Sequence, residues 1–484
     1  MNYRECNPQQ MQLFGYKPED VLDQDHLTFF IDEMVENLSI EGSYDRTQTP
    51  GNSAYDPRLM LKIIFLGYAT GITGSRKLQK QCCENPAFIH LARGQRPKFR
   101  AICEFRVKHA ENIKKPFPQM VQIAQKLNIV KIRRLILDGT KIRDDANSKR
   151  AIKAEKYDDI LKSIEEYLAS PEHKDAEEDA IYGKEKTSLG LPREIRSKTK
   201  RVERLKGIIK EAKKEQLKKV NAVDPEAKFP KESQSNKKKP SYNAQVAVDA
   251  SSGVILGRDA TDSTNDNEQL EPMVNKVVDE QGVVPEKVDA DSGYHSHDSV
   301  DELESRDIDT CIPDSRTAGR MHKAHSKKDV NNKKYTQEDS TYNKETDKYT
   351  CPRGQGLNCV KSYKHRKRTI RIFRSEKSCL SCPDMHKCIA KQNKSGYKTL
   401  QIDPVFIRIR EKFKQDSYKK RYKERSWIIE GIFGHFKKNL KFTQFNLRGL
   451  KGAKIETALL CIGYNLCALQ HWISADEISQ LLAK

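Results

Sequence analysis

Three acidic residues in separate parts of the chain have the surroundings expected of metal ligands. Asp138 follows a short apolar run and precedes Gly139. Asp291 ends a second strand-like segment just before Gly293, and Glu430 lies in a helical pattern. Carboxylates brought together from two strands and one helix can bind two divalent ions, an arrangement that recurs in phosphodiester chemistry. The three acids therefore predict a site for Mg²⁺ or Mn²⁺ that acts on a phosphodiester.

Each acid also has a simpler interpretation. Aspartates before glycine are usually turn formers, and Glu430 could merely pair with the lysines of its own helix. Asp289 would point the same way as Asp291 in a strand, so we choose Asp291 because it is nearer the strand end and the glycine. His295 and His297 form an HxH pattern directly after Asp291. We do not assign them to the metal, because loop histidines are common.

The segment 421–450 predicts a helix with two distinct faces. At about 100° per residue, its apolar residues recur on one side. They are Ile429, Ile432, Phe433, Phe436 and Leu440. On a neighbouring face the same spacing places Glu430, Gly434, Lys437 and Lys441. That surface suits a phosphate chain with a metal beside it, with both lysines as phosphate contacts. The alternative is a half-buried basic helix.

The composition indicates a polyanionic partner. Among 484 residues, Lys and Arg number 89 against 68 Asp and Glu, which gives a net charge of +21. Such an excess favours binding to phosphates through counterion release, although ribosome-associated proteins and nucleic-acid chaperones share it. No apolar run of about 18 residues and no signal-like N-terminus occurs. We therefore expect a cytoplasmic, soluble protein that binds a polyanion and no membrane.

The N-terminal 120 residues read as helical. Asp56 before Pro57 is a good N-cap, and Gly71 and Gly74 separate that helix from a basic one that begins near Ser75. Helix, glycine turn and basic helix are compatible with a DNA-binding domain. Arg76 is the candidate DNA contact, and the alternative is a helical bundle with a solvated basic surface.

The order of the remaining elements is typical of the ribonuclease-H-like fold, an α/β class with a mixed sheet. A strand with Asp138, a hairpin, a helix, a strand with Asp291, a helix and a strand precede the helix with Glu430. Charged segments interrupt this order, and the first of them reads as two long helices. The predicted units are a helical DNA-binding domain (1–120), catalytic core (130–148), a charged helical insertion and linker (149–240), catalytic core (241–315), a basic cysteine-rich insertion (316–400) and the last core helices (401–484).

Cysteines cluster in the second insertion. The chain has twelve, and without a secretory segment they argue for a reducing compartment rather than for disulfides. The spacing predicts a small zinc ribbon held by Cys351, Cys379, Cys382 and Cys388. Cys359 or His386 could substitute for one ligand, and thiols without metal are the alternative. The basic run 364–374 would be a strand facing the DNA backbone, or else a solvated edge.

Several motifs together resemble the DDE transposases of bacterial insertion sequences, in the branch with a helical N-terminal domain and a cysteine-containing insertion. They are DPRLMLKIIFLGYATGITGSRKL, FRAICEFR, LILDGTKI, YNAQVAVD, DADSGYHS and RSWIIEGIFGHFKKNLKF with LRGL. The resemblance implies that Asp138, Asp291 and Glu430 are the metal-binding triad and that Lys437 touches the DNA end. It also makes Arg448 of LRGL a candidate DNA contact.

The same family places a tyrosine and an arginine before the third acid. Tyr422 and Arg425 keep the spacing between those two residues, but four residues instead of three separate Arg425 from Glu430. On a continuous helix this turns Arg425 about 140° away from the face of the acid. Arg425 is therefore a DNA-contact candidate only if the helix begins later.

The resemblance implies a transposase that binds terminal inverted repeats, hydrolyses DNA with two metal ions and transfers the strand to a target. It further implies a homodimer, since two ends must be paired, and association with the nucleoid when bound to DNA. Two alternatives stay open: a structure-selective nuclease of the same fold, and a non-catalytic DNA-binding protein derived from a transposase.

Overall fold

The computed structural model describes a mixed α/β protein with two five-stranded sheets. The residues it describes are 18–40, 55–146, 151–169, 198–229, 239–323, 335, 337, 339–365, 368–388, 396–474 and 477–478. Within them the strands are β1 (Arg134–Arg143), β2 (Ala151–Lys153), β3 (Lys219–Asn221), β4 (Ser241–Asp249), β5 (Ile255–Thr261), β6 (Lys287–Asp289), β7 (Asp309–Cys311), β8 (Thr341–Asn343), β9 (Lys348–Thr350), β10 (Gly356–His365), β11 (Arg368–Ser375) and β12 (Thr399–Ile402).

The α-helices surround the sheets. In the same residues they are α1 (Leu27–Glu36), α2 (Pro57–Ala69), α3 (Ser75–Glu84), α4 (Pro86–Leu91), α5 (Phe99–Lys108), α6 (Ala110–Lys114), α7 (Pro116–Lys126), α8 (Tyr157–Ala169), α9 (Lys198–Lys214), α10 (Leu270–Gln281), α11 (His297–Glu304), α12 (Ser315–Lys323), α13 (Met385–Cys388), α14 (Pro404–Lys414), α15 (Asp416–Gly434) and α16 (Gly449–Gln470). Short 3₁₀ helices cover Pro18–Val21, Ala154–Lys156 and Ser292–Tyr294.

The first sheet has the strand order β5-β4-β1-β6-β7. β4 runs antiparallel to both β1 and β5, whereas β6 and β7 continue parallel to β1. β4 and β5 form the predicted hairpin, whose turn contains Gly253 at φ 72°. The predicted mixed sheet and helices are therefore present. The predicted strand that runs into Asp291 is two residues shorter, because β6 ends at Asp289.

The N-terminal helices begin and end where local signals place them. The Asp56 side chain accepts a hydrogen bond from the Arg58 N–H (2.7 Å), and Pro57 opens α2. Gly71 has a φ of 78°, a conformation that L side chains rarely adopt, and α3 starts at Ser75. The predicted helix, glycine turn and basic helix are thus confirmed as local structure.

α2 packs directly against α16, the last long helix. A Cβ on Gly463 of α16 would lie 2.7 Å from the backbone N of Ala69, so only glycine permits this close approach. The Tyr68 hydroxyl donates to Glu456 of α16 (2.5 Å), and Arg106 donates to the Tyr68 oxygen (3.2 Å). One continuous apolar core runs from α1 through β1 to α16. The N-terminal helices and the first sheet therefore share a core.

The two helices that the sequence predicts for the charged insertion, α8 and α9, pack as an antiparallel hairpin. Lys206 pairs with Glu165 (3.1 Å) and Lys213 pairs with Asp158, so α8 and α9 run in opposite directions. The short β2–β3 pair closes the hairpin. Its apolar contacts form a small separate cluster of Tyr157, Ile208, Ile209, Ala212 and Val220.

The second sheet, β12-β11-β10-β9-β8, is antiparallel throughout its described pairings. The basic run 364–374 is not a single strand, because β10 continues to His365 and β11 begins at Arg368. Five buried side chains make its core: Tyr349, Leu357, Phe373, Leu400 and Ile402. β12 ends at Ile402, so this sheet extends two residues beyond the predicted end of the cysteine-rich insertion.

The predicted helix over 421–450 is shorter than expected. α15 ends at Gly434, a π-helical turn covers His435–Asn439, and Lys441 has left the helix with a φ of 54°. Of the predicted apolar stripe, all members except the half-buried Phe433 are buried. The prediction that Lys441 shares a helical face with Glu430 is wrong, because the π turn changes the angular spacing and the helix ends before Lys441.

Across the described parts of the chain, no helix combines the length and apolar character needed to cross a membrane.

Candidate active site

Two of the predicted acids lie on neighbouring parallel strands of the first sheet. β1 and β6 pair in register, with Ile136 opposite Asp289. The pairing stops there, and Asp291 lies two residues beyond β6, near enough for its charge to act on Asp138. Side chains two residues apart in a strand point to the same face. Strand pairing thus brings together carboxylates that are 153 positions apart in the sequence (291 − 138).

The structure separates Asp291 from the neighbouring candidate Asp289. Asp289 is fully buried and accepts hydrogen bonds from Arg134 (2.7 Å) and Arg421 (2.6 Å). Asp291 lies just past the strand end, is half-buried, and accepts from the Gly293 N–H (2.8 Å). Asp289 therefore balances two half-buried arginines, whereas Asp291 lies beyond the strand end, where its charge acts on Asp138.

Asp138 occupies a site that opposes its ionisation. Burial, its largest influence, together with the nearby Asp291 raises the pKa of Asp138 to about 6. Arg425, 3.2 Å from Asp138 Oδ2, and the Gly139 N–H, 2.7 Å from Oδ1, act in the opposite direction. Two neighbouring carboxylates are a favourable place for a cation, because a cation removes their mutual repulsion.

Helix α15 approaches this pair with Arg425, which is itself buried. Tyr422, one turn earlier, is also buried, and Asp291 is among the charges that raise its pKa, after burial. Because α15 is continuous through both residues, Arg425 and Glu430 lie about 140° apart around the helix axis, as expected. The face of α15 that meets β1 is therefore the Arg425 face.

Glu430 is exposed and accepts a hydrogen bond from Ser426 (2.6 Å), one turn back on the same helix. Within the described ranges, no three His, Cys, Asp or Glu side chains lie close enough together to hold a metal ion. The fold thus brings Asp138 and Asp291 together and does not group Glu430 with them. The two aspartates fit a hard cation as oxygen donors, while a third donor is not in place.

Other polar residues near the pair were not anticipated from the sequence. Lys141 lies within reach of the charges of Asp138, Asp291 and Asp266, and its Nζ is 3.7 Å from Asp266. Burial lowers the pKa of Lys141, although these three carboxylates raise it. The buried hydroxyl of Tyr294 feels the same three carboxylates, which with burial hold its pKa well above the usual value.

In the sequence, the only local indication of this polar group is that Lys141 follows Asp138 by three residues. Asp266 reaches the site from the loop before α10, where its Oδ1 accepts hydrogen bonds from Asn243 (2.5 Å) and Gln245 (2.7 Å) of β4. Such a contact depends on strand pairing and loop path, and neither leaves a mark in the local pattern of residues.

The predicted DNA-contact residues occupy different surroundings. Lys437 is half-buried in the π turn, and Lys441 is exposed just beyond it. Arg448 precedes α16 and pairs with Asp145 (2.9 Å), which follows β1. Arg76 is exposed on α3, with its guanidinium 5.1 Å from the centre of the Phe99 ring.

The cysteine-rich insertion has a separate arrangement in the second sheet. The four predicted zinc ligands, Cys351, Cys379, Cys382 and Cys388, all line one small cavity. None of them is in a disulfide. The two possible substitutes, Cys359 and His386, are not among the residues that line this cavity.

Two family models match the chain, one towards each end. Residues 17–108, which hold α1 to α5, match a transposase domain, and residues 350–470, which hold β10 to α16, match a transposase DDE domain. The second match includes Arg425, Glu430 and the four cysteines, whereas Asp138 and Asp291 lie between the two matched regions.

A search among curated proteins gave no match. The family matches agree with the motifs at both ends of the sequence. The two matched regions support a DDE transposase of an insertion sequence.

Proposed function

We propose that this protein binds the terminal inverted repeats of an insertion sequence, cleaves the DNA there and transfers the freed strand to target DNA. The observation that carries the proposal is the parallel pairing of β1 with β6, together with the influence of the Asp291 charge on Asp138, which supports a shared site for the two carboxylates. The sheet order, with an antiparallel hairpin on one side of β1 and parallel strands on the other, supports a ribonuclease-H-like core.

In this proposal Asp138 and Asp291 hold divalent ions, Mg²⁺ or Mn²⁺, and Glu430 is the third ligand by its place in the family motif. Bound ions would stabilise charge on the scissile phosphate and favour an in-line attack. Asp138 must lose its proton to bind a cation, so its raised pKa makes metal affinity rise with pH through about 6.

The cations of the chain position the DNA. Arg425, which lies against Asp138, is placed to bind a phosphate once a metal balances the charge of that carboxylate. Lys437, Lys441, Arg448 and Arg76 supply further phosphate contacts, which give affinity with little sequence preference. The excess of 21 positive charges supports a polyanionic substrate. Because two ends must be joined in one event, the active complex is a homodimer.

The first experiment measures nicking of supercoiled plasmid by the full-length protein with Mg²⁺ or Mn²⁺. Asp138→Ala and Asp291→Ala should each lower the rate at least about 1,000-fold, equivalent to about 4 kcal/mol of transition-state stabilisation. Glu411→Gln removes an exposed carboxylate on α14 and serves as the matched control. A cleaving Asp138→Ala variant with normal DNA binding would refute the assignment.

The third ligand needs its own test, because the structure leaves Glu430 exposed. Glu430→Gln should abolish nicking while a gel-shift assay shows unchanged DNA binding. If the variant cleaves at the normal rate, Glu430 is not a ligand and another group must complete the site.

The non-catalytic alternative is favoured by one observation: Arg425, and not a third carboxylate, lies against Asp138. It predicts DNA binding without metal-dependent nicking, even on the termini of the element itself. A strand-transfer assay with labelled terminal oligonucleotides distinguishes the remaining possibility, since a structure-selective nuclease would cut these termini without joining them.

A further inference from the structure

Four cysteines from three separate parts of the second sheet region surround one cavity. Cys351 follows β9, Cys379 and Cys382 lie between β11 and α13, and Cys388 ends α13. The cavity that they line has a volume of about 20 Å³, which is room for roughly one water-sized occupant. The four thiols are close enough to influence one another, because the other three, after burial, contribute to the raised pKa of Cys388.

Two tight turns bring the cysteines to this cavity. In the first, the Gly354 N–H donates to the Cys351 carbonyl (2.8 Å), and the turn requires the positive φ of 76° that Gly354 adopts. In the second, the Cys382 N–H donates to the Cys379 carbonyl (3.1 Å). Each turn thus begins with a cysteine, and the two turns face each other across the cavity.

The other metal-binding side chains of the insertion are placed elsewhere. Cys359 lies on β10 with its Sγ 3.6 Å from the Lys361 carbonyl. It packs against the small apolar core of the sheet and does not line the cavity. His386, on α13, does not line it either. The structure therefore selects four thiols from the six candidates that the sequence offered.

The wall of the cavity also carries positive charge. Arg353 and Lys398 both line it. The Lys398 Nζ donates to the Cys388 carbonyl (3.0 Å), and Arg353 is held by an ion pair with Asp384. Four thiolates around a divalent ion carry a net charge of −2, so cations in the surrounding wall stabilise such a centre.

The second sheet has a small apolar core, although Arg368 of β11 also pairs with Asp298, Asp301 and Asp403. Its core consists of five buried apolar side chains, and so small a core rarely stabilises a fold without a disulfide or a metal. The cysteines at the cavity are not in disulfides. A metal that ties the turn after β9 to the segment after β11 would supply the missing restraint.

We infer that Cys351, Cys379, Cys382 and Cys388 bind a single structural Zn²⁺ that fixes the second sheet. The thiols line the cavity without yet being grouped at coordination distance, and binding would draw the four sulfur atoms to about 2.3 Å from the ion. The thiols lose their protons to solvent on binding and nothing is oxidised or reduced. A set of four thiolates selects zinc over Mg²⁺ or Mn²⁺, so this site is independent of the carboxylates of the first sheet.

The test uses the full-length protein, purified without chelator, and measures metal content by inductively coupled plasma mass spectrometry. We expect about one zinc per chain in the wild type. The double variant C379S/C382S should lose it. Cys359→Ser, in the same sheet but off the cavity, and Cys83→Ser, exposed on α3, are matched controls that should keep it.

A second measurement does not depend on the variants folding. Replacing the metal of the wild type with Co²⁺ should give the near-ultraviolet charge-transfer absorption of cobalt bound to thiolates, and Zn²⁺ should abolish it. The inference is overturned if the purified protein holds no zinc and Co²⁺ gives no such absorption. It is equally overturned by iron in the site, by a Cys379–Cys382 disulfide in the fresh protein, or by zinc retained in C379S/C382S. None of these outcomes bears on DNA cleavage, so the site and the proposed function are tested separately.

Discussion

The first and second sheets differ in the size of the apolar core that packs against them. β1 lies in a core that extends from α1 to α16, and its neighbour β4 is buried along its whole length. The apolar cluster of the second sheet contains five buried side chains. In the first sheet, backbone pairing alone decides which carboxylates meet. In the second, the polar and sulfur-containing groups must themselves help to hold the strands.

The largest expected change in stability comes from removing the ion pairs that Asp289 of the first sheet forms with Arg134 and Arg421. Asp289→Ala would leave Arg134 and Arg421 short of a partner in a buried site, which should lower the free energy of unfolding by about 3–5 kcal/mol. Asp291→Ala, two residues away, is the control and should leave the urea midpoint nearly unchanged. Equal destabilisation by both variants would contradict the division between a structural and a site carboxylate.

A substitution that creates a cavity should destabilise only the local region in the second sheet but the whole protein in the first. Phe373→Ala removes the largest fully buried side chain of the second sheet, at a local cost of about 3–5 kcal/mol. Because that core is small, hydrogen exchange should become fast in β8 to β12 and stay slow in β1. Leu137→Ala in β1, at about 2–5 kcal/mol, should instead lower the global unfolding free energy. Uniform exchange in Phe373→Ala would show that the two sheets unfold as one unit.

The two sheets should respond to pH with opposite signs. Asp138 has a pKa raised to about 6, so between about pH 4 and 6 the folded chain holds a proton that the unfolded chain has released. Without metal, stability of the first sheet should therefore fall by about 3 kcal/mol as pH rises through that window, and Asp138→Asn should remove the dependence. Denaturant titrations at pH 4.5 and 6.5 in metal-free buffer measure it.

In the second sheet, hydrogen bonds from Arg353 and Lys387 lower the pKa of Asp384 to about 2. Its contribution is therefore present above about pH 4 and lost as pH falls towards 2. Hydrogen exchange of β9 to β11 in acid, compared between wild type and Asp384→Asn, checks this sign. Loss of protection on raising the pH would contradict it.

The smallest effects concern one glycine in each sheet. Gly257→Ala in β5 places a Cβ 2.7 Å from Val277 and should cost about 1–3 kcal/mol by overpacking. Gly354→Ala meets no atom within 4 Å, but its φ of 76° should cost about 1–2 kcal/mol of backbone strain. Gly257→Ala should lower the thermal unfolding temperature of the whole chain. Gly354→Ala should only speed hydrogen exchange at the turn after β9.

Much of the fold followed from local patterns. The apolar run before Asp138, the hairpin around Gly253 and the helix after Asp56 have signals within a few residues, and each element lies where it was expected. The parallel pairing of β1 with β6 also followed from the order of elements, although Asp138 lies within β1, which continues to Arg143, and not at its carboxyl end.

Contacts that depend on crossing angles and helix endings could not be predicted in this way. The angular spacing of an ideal helix correctly predicts that Arg425 and Glu430 lie on different faces of α15. It does not predict which of the two faces contacts β1. The π turn at 435–439 has no local signal of proline or glycine within it, so Lys441 was placed on a helix that ends before it. Asp266 reaches Lys141 through a loop, which periodicity does not describe.

The close packing of α2 on α16 has a mechanical consequence. With Gly463 against Ala69 and Tyr68 bonded to Glu456, the glycine turn that leads into α3 is clamped to the same body as the carboxylate pair. Under the proposed function, the DNA that Arg76 of α3 contacts and the phosphate that is cut are then held a fixed distance apart along the duplex. If a few base pairs were inserted between these two positions, the protein would still cut at the same distance from the DNA that α3 contacts. The cut would then no longer fall at the end of the element.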